Sequence, residues 1–397
     1  MTTPLPTLDL LNLSDATILC RVDFNVPLDG QTVVDDTRIR GALPTIQHLI
    51  SEGARVVVAS HLGRPKGQKN PGMTLLPAAA KLAEHLETEV VFSHDTTGPA
   101  VADLIKELPP GGVLVLENLR FHPGEKANDA KFAKDLASLA TVFVNDAFGT
   151  MHRSHASITG VADLLPGAVG KLVQRELEVL GELIAPVVNE KKHPFAAILG
   201  GAKVSDKIGV IDALSRRVDH LFIGGAMAYT FLAATGQAVG DSRVEEDKME
   251  LAMRLVNRCQ HRGVKLHLPS DHVVAERFAE DAEPQVVQDI PDGMMGLDIG
   301  PQTLSEWGRA LTGCKTVFWN GPMGVFEWES FAAGTRGVAE RLASLDGTTI
   351  VGGGDSSAAV AQFNLSQDMT HISTGGGASL QFLEHGDLPG LAAIRSA

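Results

Sequence analysis

Short apolar runs rich in β-branched residues recur along the chain, and a loop and then a longer stretch with helical periodicity follow each run. Such runs are typical of buried strands, and their alternation with helical stretches predicts parallel α/β sheets. The runs of the first half are TILCRV, ARVVVAS, GVLVLEN and ATVFVND, and those of the second half are FAAILGG, HLFIGG, KTVFWNG, TTIVGGG and HISTGGG.

One helical stretch separates the two sets of strands. Residues 173–185, VQRELEVLGELIA, place leucines between charges in a pattern typical of an amphipathic helix. The 397 residues of the chain exceed the size at which a single core usually stops growing. We therefore predict an α/β fold of two doubly wound parallel-sheet (Rossmann-like) domains with a cleft between them. The domains are residues 1–170 and 187–385, joined by a helix at 171–186.

Composition and charge narrow the classes of partner. The net charge of -14 argues against nucleic acid or an anionic membrane as the main partner, because both are bound mostly through cationic side chains. Cys20, Cys259 and Cys314 are far apart and form no CxxC pair, which fits neither a disulfide framework nor a zinc site. The N-terminal residues lack a basic segment followed by an apolar one, so we expect no secretory signal and a cytoplasmic location.

The residues that follow the predicted strands differ between the two halves. In open α/β sheets ligands bind beyond the carboxyl ends of the strands. Polar and basic side chains follow the strands of the first half: Asp23, Asn25, His61, Arg64, Asn118, Arg120, Asp146, His152 and Arg153. Glycines follow the strands of the second half: Gly200, Gly201, Gly224, Gly225, Gly352 to Gly354 and Gly375 to Gly377. We expect the first set to bind a small, strongly anionic molecule and the second to approach phosphates with main-chain atoms.

Each of these features also has a purely structural interpretation. A Gly-Gly corner can be a tight turn, although four such corners in one half favour phosphate binding. Asp355 or Ser356 can cap a helix, and Asp355 can equally anchor a magnesium ion that bridges phosphates. Single arginines such as Arg38 and Arg64 are commonly solvated, but several near strand ends beside histidines favour capture of phosphate and carboxylate.

Two lysines stand out in ILGGAKVSDK, residues 198–207. If a helix starts at or near Ser205, Lys203 and Lys207 lie on one face of its first turns, where the helix dipole disfavours positive charge. A negative ligand at this helix start would compensate for both lysines. The usual nucleotide signatures are absent, since there is no GxxxxGK[ST] and GxGxxG fails at both triple-glycine runs.

Eight blocks of sequence together resemble the phosphoglycerate kinase family. They are RVDFNVPL at 21, SHLGRP at 60, ENLRFHPGEK at 117, NDAFGTMHRSHAS at 145, LGGAKVSDK at 199, WNGPMGVFE at 319, GGGDS at 352 and STGGGASL at 373. They follow the order of the family and extend over nearly the whole chain. The resemblance implies reversible phosphoryl transfer between 1,3-bisphosphoglycerate and MgADP, giving 3-phosphoglycerate and MgATP. It also implies a monomer and a segment 386–397 that returns to the first domain. We expect the two domains to close for reaction, because the triose residues precede position 154 and the nucleotide residues follow position 202.

The resemblance assigns roles to residues of this chain. It implies that the first domain binds the triose through Asp23, Phe24, Asn25, Arg38, His61, Leu62, Gly63, Arg64, Arg120 and Arg153. It implies that the second domain binds the nucleotide through Lys203, Lys207, Gly296, Glu327, Gly353, Gly354, Asp355 and Ser356. Glu327 would then bond the ribose and Asp355 the Mg²⁺. The transferring phosphoryl group would meet Arg38, Lys203, Gly354 and Gly377.

Two alternative functions share part of this pattern. A nicotinamide dehydrogenase has similar sheets, but it carries a dinucleotide glycine fingerprint followed by an acidic residue about 20 positions on, which this chain lacks. A non-catalytic protein with two similar lobes could bind anions, but such a protein is usually exported, and we expect no export signal here. Consumption of a nucleotide that depends on 3-phosphoglycerate would separate an enzyme from both alternatives.

Overall fold

The computed structural model describes residues 4–185 and 190–396. The chain forms two compact units, of which the first comprises Met1–Val179 with Asp387–Ala397 and the second comprises Leu180–Gly386. Residue 186, the last of the predicted joining helix, lies outside the described residues. The boundary between the units falls inside one helix, Lys171–Ile184, that covers most of the predicted joining segment.

Six parallel strands form the main sheet in the described part of the first unit. The strands of this unit are β1 (Thr17–Arg21), β2 (Leu28–Asp29), β3 (Thr32–Val33), β4 (Arg55–Ala59), β5 (Val90–Phe92), β6 (Val113–Val115), β7 (Val142–Asn145) and β8 (Gly167–Val169). The order across the sheet is β5-β6-β4-β1-β7-β8, and β2 and β3 form a separate antiparallel hairpin. The four apolar runs therefore form adjacent strands, as predicted, and β5 and β8 extend the sheet at its two edges.

Helices cover this sheet, and the last of them, α6, extends into the second unit. They are α1 (Thr37–Ser51), α2 (Leu76–Leu86), α3 (Pro99–Glu107), α4 (Gly124–Ala127), α5 (Ala130–Ala137) and α6 (Lys171–Ile184). The core between helices and sheet is apolar and fully buried, with Ile18, Val56 and Val144 among its members. Burial of such side chains is the main source of stability of the unit.

The second unit has a main parallel sheet and a small antiparallel one. Its strands are β9 (Phe195–Leu199), β10 (His220–Ile223), β11 (Lys265–His267), β12 (His272–Ala275), β13 (Gln285–Val287), β14 (Met295–Ile299), β15 (Thr316–Asn320), β16 (Thr348–Gly352) and β17 (His371–Ile372). The parallel order is β11-β10-β9-β15-β16-β17, and β13-β12-β14 form the antiparallel sheet. The five predicted strands lie side by side in the parallel sheet, whereas the sequence pattern did not predict the antiparallel sheet.

The remaining helices complete both units. They are α7 (Ile208–Leu214), α8 (Met227–Ala234), α9 (Met249–Arg262), α10 (Pro301–Leu311), α11 (Ala333–Ala343), α12 (Gly354–Gln362), α13 (Gly377–His385) and α14 (Pro389–Ser396). Helix α14 belongs to the first unit, where the Gly390 amide donates to the Met151 carbonyl at 2.9 Å. None of the helices in the described residues is long and apolar enough to cross a membrane.

Candidate active site

The carboxyl ends of neighbouring strands bring the predicted basic residues of the first unit together. Arg21, the last residue of β1, pairs with Ala59 of β4 and with Asn145 of β7, so the segments after these strands leave the sheet at one edge. Parallel strands must share this edge, which is where ligands of α/β sheets bind. We call the following residues the basic site: Asp23, Asn25, Arg38, His61, Gly63, Arg64, Arg120 and Arg153.

Asp23 and Arg38 form an ion pair in the basic site. Arg38 Nη1 donates to Asp23 Oδ2 at 2.7 Å, and 38% of the Arg38 side chain is exposed. Burial alone would raise the pKa of Asp23, but the charges of Arg38 and Arg21 and the Asn25 amide lower it below its ordinary value. The aspartate is therefore ionised, and it holds Arg38 while leaving the other guanidinium nitrogens for a ligand.

His61 is neutral and has a defined tautomer. Its ring is buried, and Nδ1 lies 3.2 Å from Nη2 of Arg21 and 3.9 Å from Oδ1 of Asp23. Burial lowers the pKa of His61 well below its ordinary value; Asp23 opposes this shift, and the charges of Arg21, Arg120 and Arg153 add to it. Because an arginine can only donate, Nδ1 is the acceptor and the ring proton is on Nε2.

The loop after β4 is fixed by hydrogen bonds on both sides of Gly63. Asn25 Oδ1 accepts from the Gly63 amide at 2.8 Å, and Arg120 Nη1 donates to the Gly63 carbonyl at 2.6 Å. Gly63 has φ of +61°, a conformation that favours glycine. Asn118 binds the main chain of Leu62 through both of its amide atoms, at 2.7 and 3.1 Å. Hydrogen bonds within the protein thus fix the conformation of this loop.

Three arginines leave donors available in the basic site. Nε of the buried Arg120 has no hydrogen-bond partner among the described residues, and Arg64 is exposed and forms no ion pair with them. Arg153 Nε donates to Nε2 of His152 at 3.1 Å, and burial together with the Arg153 charge lowers the pKa of His152 to about 4. The basic site therefore holds more cationic side chains than the single carboxylate of Asp23 neutralises. These cations can bind a small polyanion from several sides.

Two predicted ligands, Phe24 and Leu62, have side chains in the hydrophobic core rather than in the basic site. Phe24 is fully buried, and 5% of Leu62 is exposed. The Phe24 amide donates to Oγ of Ser60 at 2.8 Å. Any contact of these two residues with a ligand would therefore involve main-chain atoms.

In the second unit, the predicted phosphate-binding residues line one cavity, which we call the polar cavity. It has a volume of about 240 Å³. Its lining residues are Gly201, Ala202, Lys203, Asp206, Lys207, Asn320, Gly321, Gly353, Gly354, Asp355 and Ser356. The structure thus brings together Lys203, Lys207 and Asp355 from two different strand-to-helix connections. Gly377 begins α13 and lines neither this cavity nor the larger one described below.

The helix predicted near Ser205 begins later, so that prediction was wrong. Helix α7 starts at Ile208, and Lys207 occupies its N-cap position. Ser205 does not cap it, because its hydroxyl donates to Glu245 Oε1 at 2.6 Å and its amide to Oε2 at 3.1 Å. Lys203 therefore lies in an irregular turn before the helix, and the two lysines do not share a helical face.

The two lysines have different surroundings. Lys207 Nζ donates to the main-chain oxygen of Asn320 at 3.2 Å and also to its side-chain oxygen. Burial lowers the pKa of Lys207 to about 8, against the opposing charges of Asp355 and Asp206. Lys203 is exposed and forms no hydrogen bond or ion pair with the described residues. One cation is therefore held in place and the other is available.

The start of α12 presents main-chain amides and a carboxylate to the polar cavity. Its N-cap is Gly353, with φ of +95°, and not Asp355 or Ser356 as the sequence suggested. The Ser356 hydroxyl instead accepts from the Gly321 amide at 2.5 Å. Asp355 is exposed in the first turn and no side-chain hydrogen bond holds it among the described residues. Its oxygens are thus available to a cation.

A larger, mostly apolar cavity adjoins the polar one, and we call it the apolar cavity. It has a volume of about 660 Å³, a size typical of small-molecule sites. Gly201, Ala202 and Asp355 line both cavities. The other lining residues are Gly225, Ala226, Tyr229, Arg243, Phe278, Met295, Gly296, Leu297, Pro322, Met323, Gly324, Val325, Glu327 and Trp328. The predicted residues Gly296 and Glu327 thus lie in the apolar part and the lysines in the polar part.

Aromatic residues that the sequence analysis did not single out shape the apolar cavity. The rings of Phe278 and Trp328 lie 4.6 Å apart, and 64% of Phe278 is exposed. Tyr229 is buried against Gly296, where any Cβ would overlap the phenol ring. These residues lie far apart in sequence and outside any motif, so no local signal marked them. Asn320, by contrast, directly follows a predicted strand and could have been found by that criterion.

The Gly-Gly corner after β9 is required by packing as well as by the cavity. A Cβ on Gly200 would overlap the carbonyl oxygen of Pro322, and one on Gly225 would lie 2.5 Å from the Gly201 amide nitrogen. We expect Gly200→Ala to lower the free energy of unfolding by about 3 kcal/mol, because main-chain atoms cannot move aside as side chains do.

Urea denaturation monitored by circular dichroism measures this effect. Gly181→Ala is the matched control, since Gly181 lies in α6 with no neighbouring atom within 4 Å of a Cβ, and alanine favours helix. Equal stabilities of the two variants would contradict the packing argument.

Comparison with known proteins identifies relatives along the whole chain. The family model described as phosphoglycerate kinase matches residues 8–386. The phosphoglycerate kinase of Moorella thermoacetica is 54% identical over 390 residues, which cover 98% of each chain. The cytosolic phosphoglycerate kinase of Nicotiana tabacum is 53% identical over 393 residues, which cover 97% of each. The solved structure of phosphoglycerate kinase from Coxiella burnetii has a TM-score of 0.87 at 36% identity, covering 99% of each chain. The solved structure of phosphoglycerate kinase from Pyrococcus horikoshii OT3 has a TM-score of 0.85 at 32% identity, covering 98% of each chain.

Proposed function

The chain belongs to the phosphoglycerate kinase family, and from this premise we propose which of its residues bind each substrate. As a member it is a glycolytic kinase that transfers a phosphoryl group reversibly between 1,3-bisphosphoglycerate and ADP, giving 3-phosphoglycerate and ATP. The match over residues 8–386 is the observation that carries this conclusion. Neither a nicotinamide dehydrogenase nor a non-catalytic anion-binding protein is supported.

We propose that 3-phosphoglycerate binds in the basic site. Its phosphate and carboxylate are small anions that guanidinium groups bind in pairs of hydrogen bonds. Arg64, Arg120 and Arg153 have donors available for these groups, and His61 adds a neutral Nε2–H donor. Asp23 can accept from the hydroxyl of the triose, and Asn25 can donate to it through Nδ2. Gly63 and the main chain of Phe24 and Leu62 form the wall behind it.

The two adjoining cavities of the second unit suit the two parts of ATP. The purine is apolar on its faces, so the apolar cavity beside Tyr229 and Gly296 is its proposed position. Glu327, exposed at that cavity, is the proposed acceptor for the ribose hydroxyls. The phosphates then lie in the polar cavity, where Lys203, Lys207 and the amides at Gly353 and Gly354 supply positive charge. Ser356 is buried there and shapes the loop.

Asp355 is the proposed magnesium ligand. Mg²⁺ in kinases is held by one or two carboxylates and by the substrate phosphates. The exposed carboxylate of Asp355 fits this requirement because it faces the polar cavity beside two lysines and has no competing side-chain hydrogen bond among the described residues. Bound Mg²⁺ would neutralise phosphate charge during transfer. Asp355 itself orients the ion, while Lys207 keeps Asn320 and the surrounding loop in place.

The transfer step needs little covalent help from the protein. A carboxylate oxygen of 3-phosphoglycerate forms a bond to the γ-phosphorus of ATP as the bond to the bridging oxygen breaks and ADP leaves. The attacking oxygen is already ionised, so no general base is required. Arg38 and Lys203, with the amides at Gly354 and Gly377, are proposed to stabilise charge on the group in transit. We further propose that the protein acts as a cytoplasmic monomer.

A single assay tests the activity and its nucleotide preference. The full chain is incubated with ATP, Mg²⁺, 3-phosphoglycerate and hydroxylamine, which traps the acyl phosphate as a hydroxamate. We expect hydroxamate and ADP in equal amounts, with none when 3-phosphoglycerate is omitted. A chelator of Mg²⁺ should abolish the reaction, and GTP in place of ATP measures base selectivity. ADP formation without 3-phosphoglycerate, or no hydroxamate at all, would contradict the proposal.

A further inference from the structure

A chain of buried polar groups extends from the basic site into the first unit. Arg21, with 1% of its surface exposed, donates from Nε to Oγ of Ser157 at 2.9 Å and from Nη1 to the Val22 carbonyl. Its Nη2 lies 3.2 Å from Nδ1 of His61. Ser157 Oγ lies 2.7 Å from Oε1 of the fully buried Glu125, and the Ser157 amide donates to Oε2 at 3.1 Å. No part of this arrangement was among the predicted site residues except His61.

In each hydrogen bond of this series, only one of the two groups can be the donor. Arginine has five donors and no acceptor, so the Ser157 hydroxyl must accept from Arg21 and can give its own proton only to Glu125. In the same way, Nδ1 of His61 must accept from Arg21, which leaves the ring proton on Nε2. The Glu125 carboxylate therefore determines the orientation of the Ser157 hydroxyl, and this hydroxyl determines the orientation of Arg21. Arg21 in turn determines the tautomer of His61.

Stabilisation of the fold does not explain this series of buried hydrogen bonds. A buried guanidinium and a buried carboxylate each lose their hydration, and here they do not contact one another but are linked through a serine hydroxyl. Apolar side chains of similar volume would fill the same space without that cost. The arrangement is explained instead by its end point, since it presents one defined donor in the basic site.

We propose that Glu125 and Ser157 are positioning residues of the kinase, which hold Arg21 so that the His61 ring keeps its proton on Nε2. The inference rests on the proposed function, because it takes His61 as a ligand of 3-phosphoglycerate. A fixed Nε2–H donor binds a phosphate or carboxylate oxygen without first rearranging. The other charged groups around the His61 ring are Asp23, Arg120 and Arg153, none of which contacts Nδ1 closely enough to replace Arg21.

Nuclear magnetic resonance of the histidine rings tests the proposal without substrate. The full chain is labelled with ¹⁵N-histidine, and the His61 signals are assigned by their loss in His61→Gln. We expect the wild-type ring to show protonated Nε2 and no titration between about pH 5.5 and 8. In Ser157→Ala and in Arg21→Lys, which cannot form the planar fork, we expect signals of both neutral tautomers.

Steady-state kinetics provides the second readout. Ser157→Ala should raise the KM for 3-phosphoglycerate by roughly 10-fold and leave the KM for MgATP unchanged, since only one site is altered. Ser93→Ala is the matched control, because Ser93 is another buried serine of the first unit, with its hydroxyl on the Asp95 carbonyl at 2.9 Å. It should change neither the ring signals nor either KM.

Two results would overturn the inference. Ring signals of His61 that are the same in wild type, Ser157→Ala and Arg21→Lys would show that Arg21 does not set the tautomer. Altered ring signals with an unchanged KM for 3-phosphoglycerate would show that His61 does not act on this substrate. A wild-type chain with the expected ring signals but no kinase activity would instead contradict the proposed function alone.

Discussion

Replacement of Lys203 by alanine should lower kcat by roughly 10²- to 10³-fold, the size typical for loss of one preorganised charge-stabilising donor. Lys203 is exposed in the polar cavity and forms no hydrogen bond with the described residues, so its ammonium group is available to the phosphoryl group in transit. An interaction that strengthens only in the transition state lowers kcat when it is removed. The KM for MgATP should change much less.

Lys207→Ala is the informative comparison for this prediction. Lys207 is held by both oxygens of Asn320, and it is proposed to meet phosphates that do not move. An interaction equal in the ground and transition states affects KM, so we expect a rise of roughly 10-fold in the KM for MgATP and a smaller loss in kcat. Lys248→Ala, which removes a cation whose ion pair among the described residues is with Asp247, should leave both constants unchanged.

Steady-state kinetics at saturating nucleotide separates these outcomes, with folding checked by circular dichroism. Normal turnover of Lys203→Ala under these conditions would mean that both lysines only bind the nucleotide. A loss of kcat in Lys248→Ala of similar size would show that the effects arise from overall charge and not from position.

Arg38→Ala should lower kcat by about 10³-fold, because arginines that stabilise a transferring phosphoryl group contribute about 10³ to 10⁵. Arg38 is the second residue of α1, and its ion pair with Asp23 engages Nη1 of the guanidinium. The remaining nitrogens can bind phosphoryl oxygens in a planar fork. Arg38→Lys should restore only part of the rate, since an ammonium group lacks that fork.

Arg40→Ala provides the control for Arg38. Arg40 lies two residues further in the same helix, is exposed, and binds Asp36 and Thr37 instead of the basic site. The rate of phosphoryl transfer, measured over a single turnover, should be unaffected in this variant. An unchanged single-turnover rate in Arg38→Ala would exclude Arg38 from the transfer step.

The sequence predicted the sheets and the edge where the site lies for a simple physical reason. Buried parallel strands need continuous apolar runs, and the residues after those runs must emerge at one edge. The pairing of Arg21 with Ala59 and with Asn145 is a direct consequence. Asp23, His61 and Arg120 could therefore be placed together before any coordinates were known.

Local pattern was not sufficient where distant residues decide the structure. Ser205 has the residue type of a helix cap, but the Glu245 carboxylate, 40 residues away, accepts hydrogen bonds from both its hydroxyl and its amide. In the antiparallel sheet, two of the three residues of Gln285–Val287 are exposed, so no apolar run marks that strand. In the same way, the bond from Arg21 to Ser157 joins residues 136 positions apart.

The first unit is built from both ends of the chain, and this has a consequence for its synthesis. Helix α14 buries Leu391 and Ile394, and it contributes the bond from Gly390 to the Met151 carbonyl. A ribosome makes these residues only after it has made the whole second unit, Leu180–Gly386. The nascent first unit therefore lacks this helix for roughly 10 to 40 seconds, the time that synthesis of about 200 further residues requires. Chaperone occupancy of the growing nascent chain should be highest during that interval.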